Sequence, residues 1–232
     1  MIVRDREIAG LQVRVFVPGT VPAPAVIFSH GFGGSKLGYG YLGRHLAAHG
    51  IVSLHPSHRD PATVDEAMRD PRVWQERAHD LAALLAALPA EVDDARVGVA
   101  GHSLGAFAAL LCAGARVRID GALHDLSDPR PRAFAALSPP GNGSRGLGGW
   151  SWGAIERPVL YLTGTLDRGP HGEEHQWRLE PFASLGAADK TALVLDGATH
   201  ETFAGGLPRA RADPAHLRAI EDATLAFFQR TL

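Results

Sequence analysis

The sequence predicts an α/β domain in which helices cover both faces of a mostly parallel, doubly wound sheet. Short, continuously apolar runs rich in β-forming residues recur along the chain, and amphipathic helical patterns lie between several of them. Continuous apolar runs are typical of strands that are covered on both faces. Because 232 residues suit one such domain and no repeat or long linker interrupts the pattern, we predict a single domain over residues 1–232.

The first two predicted strands form an antiparallel hairpin at one edge of the sheet. Residues 2–8 and 11–17 are β-rich, and only Ala9 and Gly10 separate them, which suits a tight turn. The other strands are expected to alternate with helices. They are predicted at residues 25–29, 51–54, 96–100, 133–137, 159–163 and 192–195.

Helical periodicity is clearest in two stretches. One covers residues 72–88, and the other follows Pro214, a residue suited to the first turn of a helix. Their apolar faces consist of Trp74, Ala78, Leu81, Leu85 and Leu88 in the first helix and of Leu217, Ile220, Thr224 and Phe227 in the second.

Charge and composition exclude several classes of partner. The net charge is −2 and the isoelectric point about 6.6, so no basic surface for nucleic acid is expected. No apolar run approaches the roughly 18 residues of a membrane helix, and the charged start of the chain lacks the apolar core of a secretory signal. The single cysteine, Cys112, allows no internal disulfide. We therefore expect a cytoplasmic protein with no nucleic-acid or membrane partner.

The motif "VAGHSLGA" at residues 99–106 places a serine, Ser103, between two glycines. A strand pattern precedes it and an apolar helical pattern, "SLGAFAALLCAGA", follows it. Such a sharp strand-to-helix turn strains the serine backbone, and side chains at Gly101 or Gly105 would collide with their neighbours. The turn raises the hydroxyl above the sheet and leaves the Leu104 amide free at a helix N-terminus. We predict that Ser103 is a nucleophile and that the Leu104 amide stabilises an oxyanion.

A serine hydroxyl needs a general base, and His200 is the candidate among 12 histidines. It follows the last predicted strand, in "LVLDGATHETF". Asp167, in "TGTLDRG" after the strand at residues 159–163, is the candidate acid that orients the imidazole. The alternative acid, Asp196, ends the same strand that leads to His200, so its side chain is expected to point sideways. The chain order Ser103, Asp167, His200 is that of α/β-hydrolases.

The segment "VIFSHGFGG" is expected to supply the second oxyanion donor, the amide of Phe32. Two alternatives are a plain glycine-rich turn and a phosphate-binding loop. The phosphate-binding spacing G-x-x-x-x-G-K-[ST] is absent, and Lys36 is misplaced for it.

Further residues are assigned to the substrate pocket: His30, Gly31, His102, Trp150 and Trp152. The two tryptophans lie in the glycine-rich segment 141–152, where they either stack on an acyl or aromatic group or cover the sheet edge. Only about 20 residues separate the strands that flank this segment, so a shallow site without a large cap domain is expected.

The segment "HPSHRD" contains His55 and His58 at a spacing found in some metal sites. No other cluster of ligands has matching spacing, so no metal is expected, and we predict instead that this loop borders the pocket. No cofactor is expected either.

Four segments together resemble small bacterial α/β-hydrolases: "SHGFGGSKLGYGYLGRHLAAHGIVSLHPSHRD", "GHSLGA", "TGTLD" and "GATHETF". The resemblance extends from about Pro24 to the C-terminus and is nearest to plasma-type platelet-activating-factor acetylhydrolases and dienelactone-hydrolase-like esterases. It implies the α/β-hydrolase fold and hydrolysis by Ser103, His200 and Asp167 without a cofactor. Two features depart from relatives. Dienelactone hydrolases have cysteine where this chain has Ser103, and secreted cutinase-like enzymes, which share the oxyanion loop, often carry disulfides.

The sequence therefore predicts a serine carboxylic ester hydrolase that acts on small-molecule esters of short to medium acyl length. Three alternatives remain open: a cutinase-like polyester hydrolase, an acyltransferase or peptidase with the same triad, and a non-catalytic ligand-binding member of the fold. The sequence leaves the oligomeric state open between monomer and homodimer.

Overall fold

A computed structural model describes residues 1–63, 66–67, 70–143, 146–205 and 212–232 of the chain. Eight strands form one sheet in the order β1-β2-β4-β3-β5-β8-β9-β10, and β6 pairs with β7 in a separate hairpin. Pairs β1–β2 and β2–β4 are antiparallel, and the other pairs of the main sheet are parallel. The strands are β1 (Ile2–Ile8), β2 (Leu11–Val17), β3 (Ala23–Ser29), β4 (Val52–Pro56), β5 (Val92–His102), β6 (Arg116–Ile119), β7 (Ala122–Asp125), β8 (Ala133–Leu137), β9 (Val159–Gly164) and β10 (Lys190–Leu195).

Helices cover both faces of the sheet and create two apolar cores. The helices are α1 (Gly40–Ala48), α2 (Pro71–Ala86), α3 (Leu104–Ala113), α4 (Gln176–Ala183) and α5 (Pro214–Thr231). Side chains of α2 and α3 pack in one core, and those of α1 and α5 pack in the other. Strand β3 contributes side chains to both cores. Ala25 and Ile27 pack in the first core, and Val26 and Phe28 pack in the second. This alternation explains why the central strands are apolar at every position.

Two of the helices begin with the same local device, an aspartate followed by proline. Asp70 accepts a hydrogen bond from the Arg72 amide at 2.9 Å, and Asp213 accepts one from the Ala215 amide at 2.8 Å. Each aspartate satisfies an amide that the helix leaves unpaired, and the proline that follows has no amide hydrogen to satisfy. The predicted starts of α2 and α5 therefore agree with the structure to within a residue or two.

The hairpin β6–β7 and helix α4 were not predicted from the sequence. The hairpin β6–β7 turns at Asp120 and Gly121, whose φ angles of 49° and 81° are those of a tight hairpin turn. The Asp-Gly pair was a usable signal for it. Helix α4 lies in a polar stretch with Pro181 in its last turn. Neither apolar periodicity nor helix propensity therefore predicts it.

The predicted fold class, a mostly parallel sheet with an N-terminal antiparallel hairpin, is confirmed. Between β8 and β9 the described residues, 138–143 and 146–158, contain one short 3₁₀ turn at Gly149–Ser151 and no α-helix. That segment therefore builds no large cap. Within the described residues, no helix has the length and apolarity that crossing a membrane requires.

Candidate active site

Ser103 lies at the turn between β5 and α3, with φ 53° and ψ −116°, angles that residues other than glycine rarely adopt. A Cβ atom added to Gly101 would lie 2.2 Å from the Gly105 carbonyl oxygen. One added to Gly105 would lie 2.0 Å from the Ser29 carbonyl oxygen. Since both contacts are with backbone atoms far inside van der Waals distance, the steric reason inferred for these glycines is confirmed.

His200 reaches Ser103 from the end of a different strand. Its Nε2 lies 3.0 Å from Ser103 Oγ, and its Nδ1 lies 3.0 Å from Asp167 Oδ1. His200 begins a 3₁₀ turn after β10, and Asp167 lies in a turn after β9, where its amide donates to the Gly164 carbonyl at 3.0 Å. The carboxyl ends of parallel strands meet at one edge of the sheet. The structure thus brings together the three side chains that we predict as nucleophile, base and acid.

Asp167 is buried and surrounded by donors. Thr163 Oγ1 donates to Asp167 Oδ2 at 2.9 Å, and Arg178 Nε lies 2.7 Å from Asp167 Oδ1. Ser138 hydrogen-bonds the same carboxylate, and its Oγ lies 2.6 Å from His200 Nδ1. Burial favours the neutral acid, but the hydrogen bond from His200 and the charge of Arg178 outweigh it, so the pKa of Asp167 lies below its ordinary value. A charged Asp167 can stabilise an imidazolium on His200.

The alternative acid, Asp196, is exposed and does not contact the imidazole of His200. Thr165 Oγ1 donates to Asp196 Oδ1 at 3.0 Å, and the Gly197 amide in turn donates to Thr165 Oγ1 at 2.8 Å. These contacts hold the Asp196 carboxylate sideways, in the orientation expected from the sequence. The hydrogen bond to His200 belongs to Asp167.

Two backbone amides beside the hydroxyl are free to receive negative charge. Leu104 starts α3, so its amide is one of those that a helix leaves without an intrahelical partner. Phe32 lies in the turn after β3, where the amides of the flanking Gly31, Gly33 and Gly34 all donate to protein atoms. Within the described part of the chain, neither the Phe32 nor the Leu104 amide has an acceptor. Both residues line the same cavity as the serine, which suits an oxyanion site.

A cavity of about 310 Å³ opens beside Ser103 and His200. Trp177 on α4 forms part of its wall and is held there by a hydrogen bond from its Nε1 to the Asn142 carbonyl at 2.8 Å. Arg168 and Glu201, which directly follow the predicted acid and base in the chain, add charged groups. The apolar lining consists of Phe32, Ala67, Leu104, Pro140, Pro170 and Trp177.

The two tryptophans predicted beside the pocket lie elsewhere, and that part of the prediction is wrong. Trp152 is completely buried in the core and donates from its Nε1 to Asn142 Oδ1 at 2.7 Å. Trp150 is 49% exposed outside the cavity, with the Arg118 guanidinium 5.5 Å from its ring centre. Neither of these aromatic side chains lines the cavity.

His30, Gly31 and His102 are buried behind the cavity and do not line it, contrary to the prediction. His30 Nδ1 lies 2.7 Å from the Gly31 carbonyl oxygen. His102 Nδ1 lies 2.8 Å from Tyr39 Oη, and its ring packs 4.6 Å from that of His200. Burial, together with the charges of His200 and Arg178, holds the pKa of His102 well below its ordinary value. These residues support the site from behind.

The two histidines of "HPSHRD" point into different surroundings. The His55 ring packs between Phe16 and Phe28, with ring centres 5.0 and 5.5 Å away. The His58 Nε2 atom lies 2.9 Å from Ser29 Oγ instead. Among the described residues, no three side chains of histidine, cysteine, aspartate or glutamate come together as a metal site. The segment from His55 to Asp60 also does not line the cavity, so the predicted place beside the pocket is wrong.

Ser138, Trp177 and Arg178 are among the residues of the site that were not predicted from the sequence. Ser138 directly follows the buried strand β8, and a polar residue at the carboxyl end of a parallel strand was a usable signal. Its φ of 50° is a further sign of a constrained position. Trp177 and Arg178 gave no such signal, because they lie on the unpredicted helix α4.

Comparisons with known proteins agree with this architecture. Residues 12–79 match the family model described as platelet-activating factor acetylhydrolase, isoform II. Cutinase 1 of Thermobifida cellulosilytica is 26% identical over 89% of this chain and 73% of its own length. Esterase YjfP of Escherichia coli is 35% identical over 47% of this chain and 48% of its own length. The solved structure of a thermophilic esterase, Est2 of Thermogutta terrifontis, aligns with this chain at a TM-score of 0.64 and 17% identity. The alignment spans 97% of this chain and 91% of the esterase chain.

The chain has the α/β-hydrolase fold, and its sequence relatives include cutinases and an esterase. The resemblance to serine esterases is confirmed, and with it the expectation that the chain is an enzyme of the serine-hydrolase class.

Proposed function

We propose that this protein is a carboxylic ester hydrolase that uses Ser103, His200 and Asp167 through an acyl-enzyme intermediate. The observation that carries the proposal is the 3.0 Å contact between His200 Nε2 and Ser103 Oγ beside a cavity. Two amides without acceptors, those of Phe32 and Leu104, belong to the same cavity. A poised base and a preformed site for negative charge are what acyl transfer requires.

In the proposed mechanism, His200 removes the Ser103 hydroxyl proton as the oxygen attacks the ester carbonyl. The amides of Phe32 and Leu104 stabilise the negative charge of the tetrahedral intermediate, and loss of one such donor typically costs about 2.7–4 kcal/mol. His200 then protonates the departing alcohol. Water attacks the acyl-enzyme with His200 again as base, and Ser103 is released with the acid product.

The cavity supports a preference for short to medium acyl chains. Its volume of about 310 Å³ lies at the lower end of the range for small-molecule sites. Trp177 closes part of the wall, and its hydrogen bond to Asn142 holds it in place. Long acyl chains would have to leave the cavity and lie along the surface, where they gain less burial.

A second candidate function is hydrolysis of polyesters. It is favoured by the 26% identity to Thermobifida cellulosilytica cutinase 1 across 89% of this chain. The absence of a large cap between β8 and β9, within the described residues, would also let a polymer chain approach. Release of soluble products from a polyester film, compared with turnover of soluble esters, distinguishes this function from the first.

The test is turnover of p-nitrophenyl esters from acetate to palmitate by the wild type and by Ser103→Ala. We expect activity to be highest on the shorter esters and to fall at least about a thousandfold in the variant, because the nucleophile is lost. Ser127→Ala, at an exposed serine away from the cavity, serves as the control and should retain full activity. A folded Ser103→Ala protein with undiminished turnover would disprove the assignment.

A further inference from the structure

The oxyanion loop, residues 30–34 after β3, is tied to the protein at almost every polar backbone group around Phe32. The Gly31 amide donates to Tyr39 Oη at 3.1 Å, and the Gly34 amide donates to the Gly31 carbonyl at 3.1 Å. The Gly33 amide donates to Asp60 Oδ2 at 2.8 Å. In this turn, the amide of Phe32 is the one for which the described residues supply no acceptor.

One ion pair, formed by Asp60 and Arg77, hydrogen-bonds the backbone of this loop on both sides of Phe32. Arg77 Nη1 donates to the His30 carbonyl at 2.5 Å, and Arg77 Nη2 lies 2.5 Å from Asp60 Oδ1. The other oxygen of Asp60 accepts from the Gly33 amide. The chain His30–Arg77–Asp60–Gly33 therefore closes a ring of hydrogen bonds around the Phe32 peptide group.

A contribution to the stability of the fold does not by itself explain why Asp60 and Arg77 form a buried ion pair here. The Arg77 side chain is 1% exposed and that of Asp60 is 11% exposed. Burying two charges carries a desolvation cost that their attraction often only balances, so such a pair is poor evidence of net stabilisation. The distinctive property of this pair is that it hydrogen-bonds the two peptide groups on either side of the one that carries the Phe32 amide.

Position matters more for an oxyanion donor than for most hydrogen bonds. The donor acts only if it lies about 2.7–3.1 Å from the oxygen on which charge develops, and it must be held there before the reaction begins. A glycine-rich turn such as Gly31-Phe32-Gly33-Gly34 does not hold one conformation by itself. Contacts from outside the turn have to fix it.

We propose that Asp60 and Arg77 are positioning residues for ester hydrolysis, which hold the Phe32 amide in the orientation that stabilises the oxyanion. This inference rests on the proposed function and deepens it. Neither Asp60 nor Arg77 lines the cavity. Its loss should weaken stabilisation of the transition state while leaving the binding of the ground-state ester almost unchanged.

The experiment compares Asp60→Asn and Asp60→Ala with wild type on p-nitrophenyl acetate and with phenylboronic acid as inhibitor. A boronic acid adds to the serine oxygen and forms a tetrahedral adduct, so its affinity reports on the oxyanion site. We expect kcat to fall about tenfold in Asp60→Asn and up to about a hundredfold in Asp60→Ala, with KM within about twofold of wild type. The affinity for phenylboronic acid should fall in the same proportion as kcat.

The matched control is Asp128→Asn. Asp128 pairs with Arg130 and has an 8% exposed side chain, against 11% for Asp60, but it lies away from the cavity. It should lower the unfolding temperature without changing kcat or boronate affinity. Folded Asp60 variants with unchanged kcat, or an equal loss of kcat in the control, would overturn the inference. Persistent activity of Ser103→Ala would instead overturn the proposed function itself.

Discussion

Two serine–histidine–aspartate arrangements lie in this protein, and their hydrogen bonds have almost the same lengths. We call them the cavity arrangement and the buried arrangement, and their members are Ser103, His200 and Asp167 in the first and Ser29, His58 and Asp80 in the second. The imidazole lies 3.0 Å from the hydroxyl in the cavity arrangement and 2.9 Å in the buried one. The distances to the carboxylate are 3.0 and 2.8 Å.

The two hydroxyls differ in their surroundings. Ser29 is completely buried at the end of β3 and belongs to the regular pairing with β5. Ser103 is only partly buried, has a positive φ, and stands at the start of a helix beside a cavity. A substrate carbonyl can reach Ser103, whereas the packed sheet excludes it from Ser29.

The two carboxylates differ in charge balance. The pKa of Asp167 lies below its ordinary value because hydrogen bonding to His200 and the charge of Arg178 outweigh burial. Burial instead raises the pKa of Asp80, despite the charge of Arg77 nearby. Burial and the same Arg77 lower the pKa of His58 to about 3. The buried arrangement therefore cannot hold an imidazolium at neutral pH, which a general base must become during the reaction.

This difference teaches that a hydrogen-bonded serine, histidine and aspartate do not by themselves make a nucleophile. Access for the substrate, donors for the developing oxyanion and a histidine that can hold a proton are needed as well. The buried arrangement is better understood as a set of satisfied polar groups that fixes the loop after β4 against α2. Three sets of substitutions test the contrast.

The largest expected effect is the difference in kcat between the asparagine variants of Asp167 and Asp80. Asp167→Asn should lower kcat about ten-thousandfold, because the imidazole is then held in the wrong tautomer. Asp80→Asn should leave kcat within about threefold and lower the free energy of unfolding by about 1–2 kcal/mol. Kinetics on p-nitrophenyl acetate and urea unfolding measure the two effects. Comparable losses of kcat in both variants would remove the distinction between the arrangements.

An intermediate effect is expected at Gly105, where the two arrangements meet. A Cβ atom at this position would lie 2.0 Å from the Ser29 carbonyl oxygen, so Gly105→Ala forces β3 and α3 apart. We expect a loss of about 3 kcal/mol in the free energy of unfolding, measured with urea. Gly153→Ala, where a Cβ would meet nothing within 4 Å, is the matched control and should change little. Equal stability of the two variants would contradict the packing described here.

The smallest effect concerns the pH dependence of stability. The folded pKa of His58 is about 3 and its unfolded value about 6.5, so between these values the unfolded chain binds a proton that the folded chain does not. Stability from this source is complete above about pH 6.5 and is lost as the pH falls toward 3. His30 and His55, also with pKa values of about 3, add slopes of the same sign.

His58→Gln should therefore reduce the slope of stability against pH by up to about 1.4 kcal/mol per unit, between roughly pH 4 and 6. The measurement is urea unfolding at several pH values. His171→Gln, at an exposed histidine, is the control and should leave the slope as in wild type. A slope in His58→Gln equal to that of wild type would show that His58 is not kept neutral by the fold.

The features that could be predicted from the sequence are those whose signal is local. The residues around Ser103 combine an apolar strand, two sterically required glycines and a helix within about a dozen positions, so their conformation could be predicted from neighbours in the chain. Asp167 and His200 could be placed because each follows a buried strand of the parallel sheet. The turn at Phe32 follows the same rule.

The remaining features depend on contacts between distant parts of the chain. Nothing in the segment around Asp60 indicates that it meets Arg77 and Gly33, because that contact exists only after α2 packs on the sheet. At Trp152 the sequence favours a position that the folded chain does not adopt. An aromatic residue in a glycine-rich loop is a candidate for the pocket, but Trp152 is buried in the core and donates a hydrogen bond to Asn142.

Helix α4 has a consequence for redesign of this protein. Consecutive residues on it perform separate tasks, since Trp177 shapes the cavity wall and Arg178 contacts the Asp167 carboxylate. Random mutagenesis of this helix would therefore change substrate selectivity and turnover together. Pro140, on another part of the wall, is a safer first position for a library that changes the shape of the cavity.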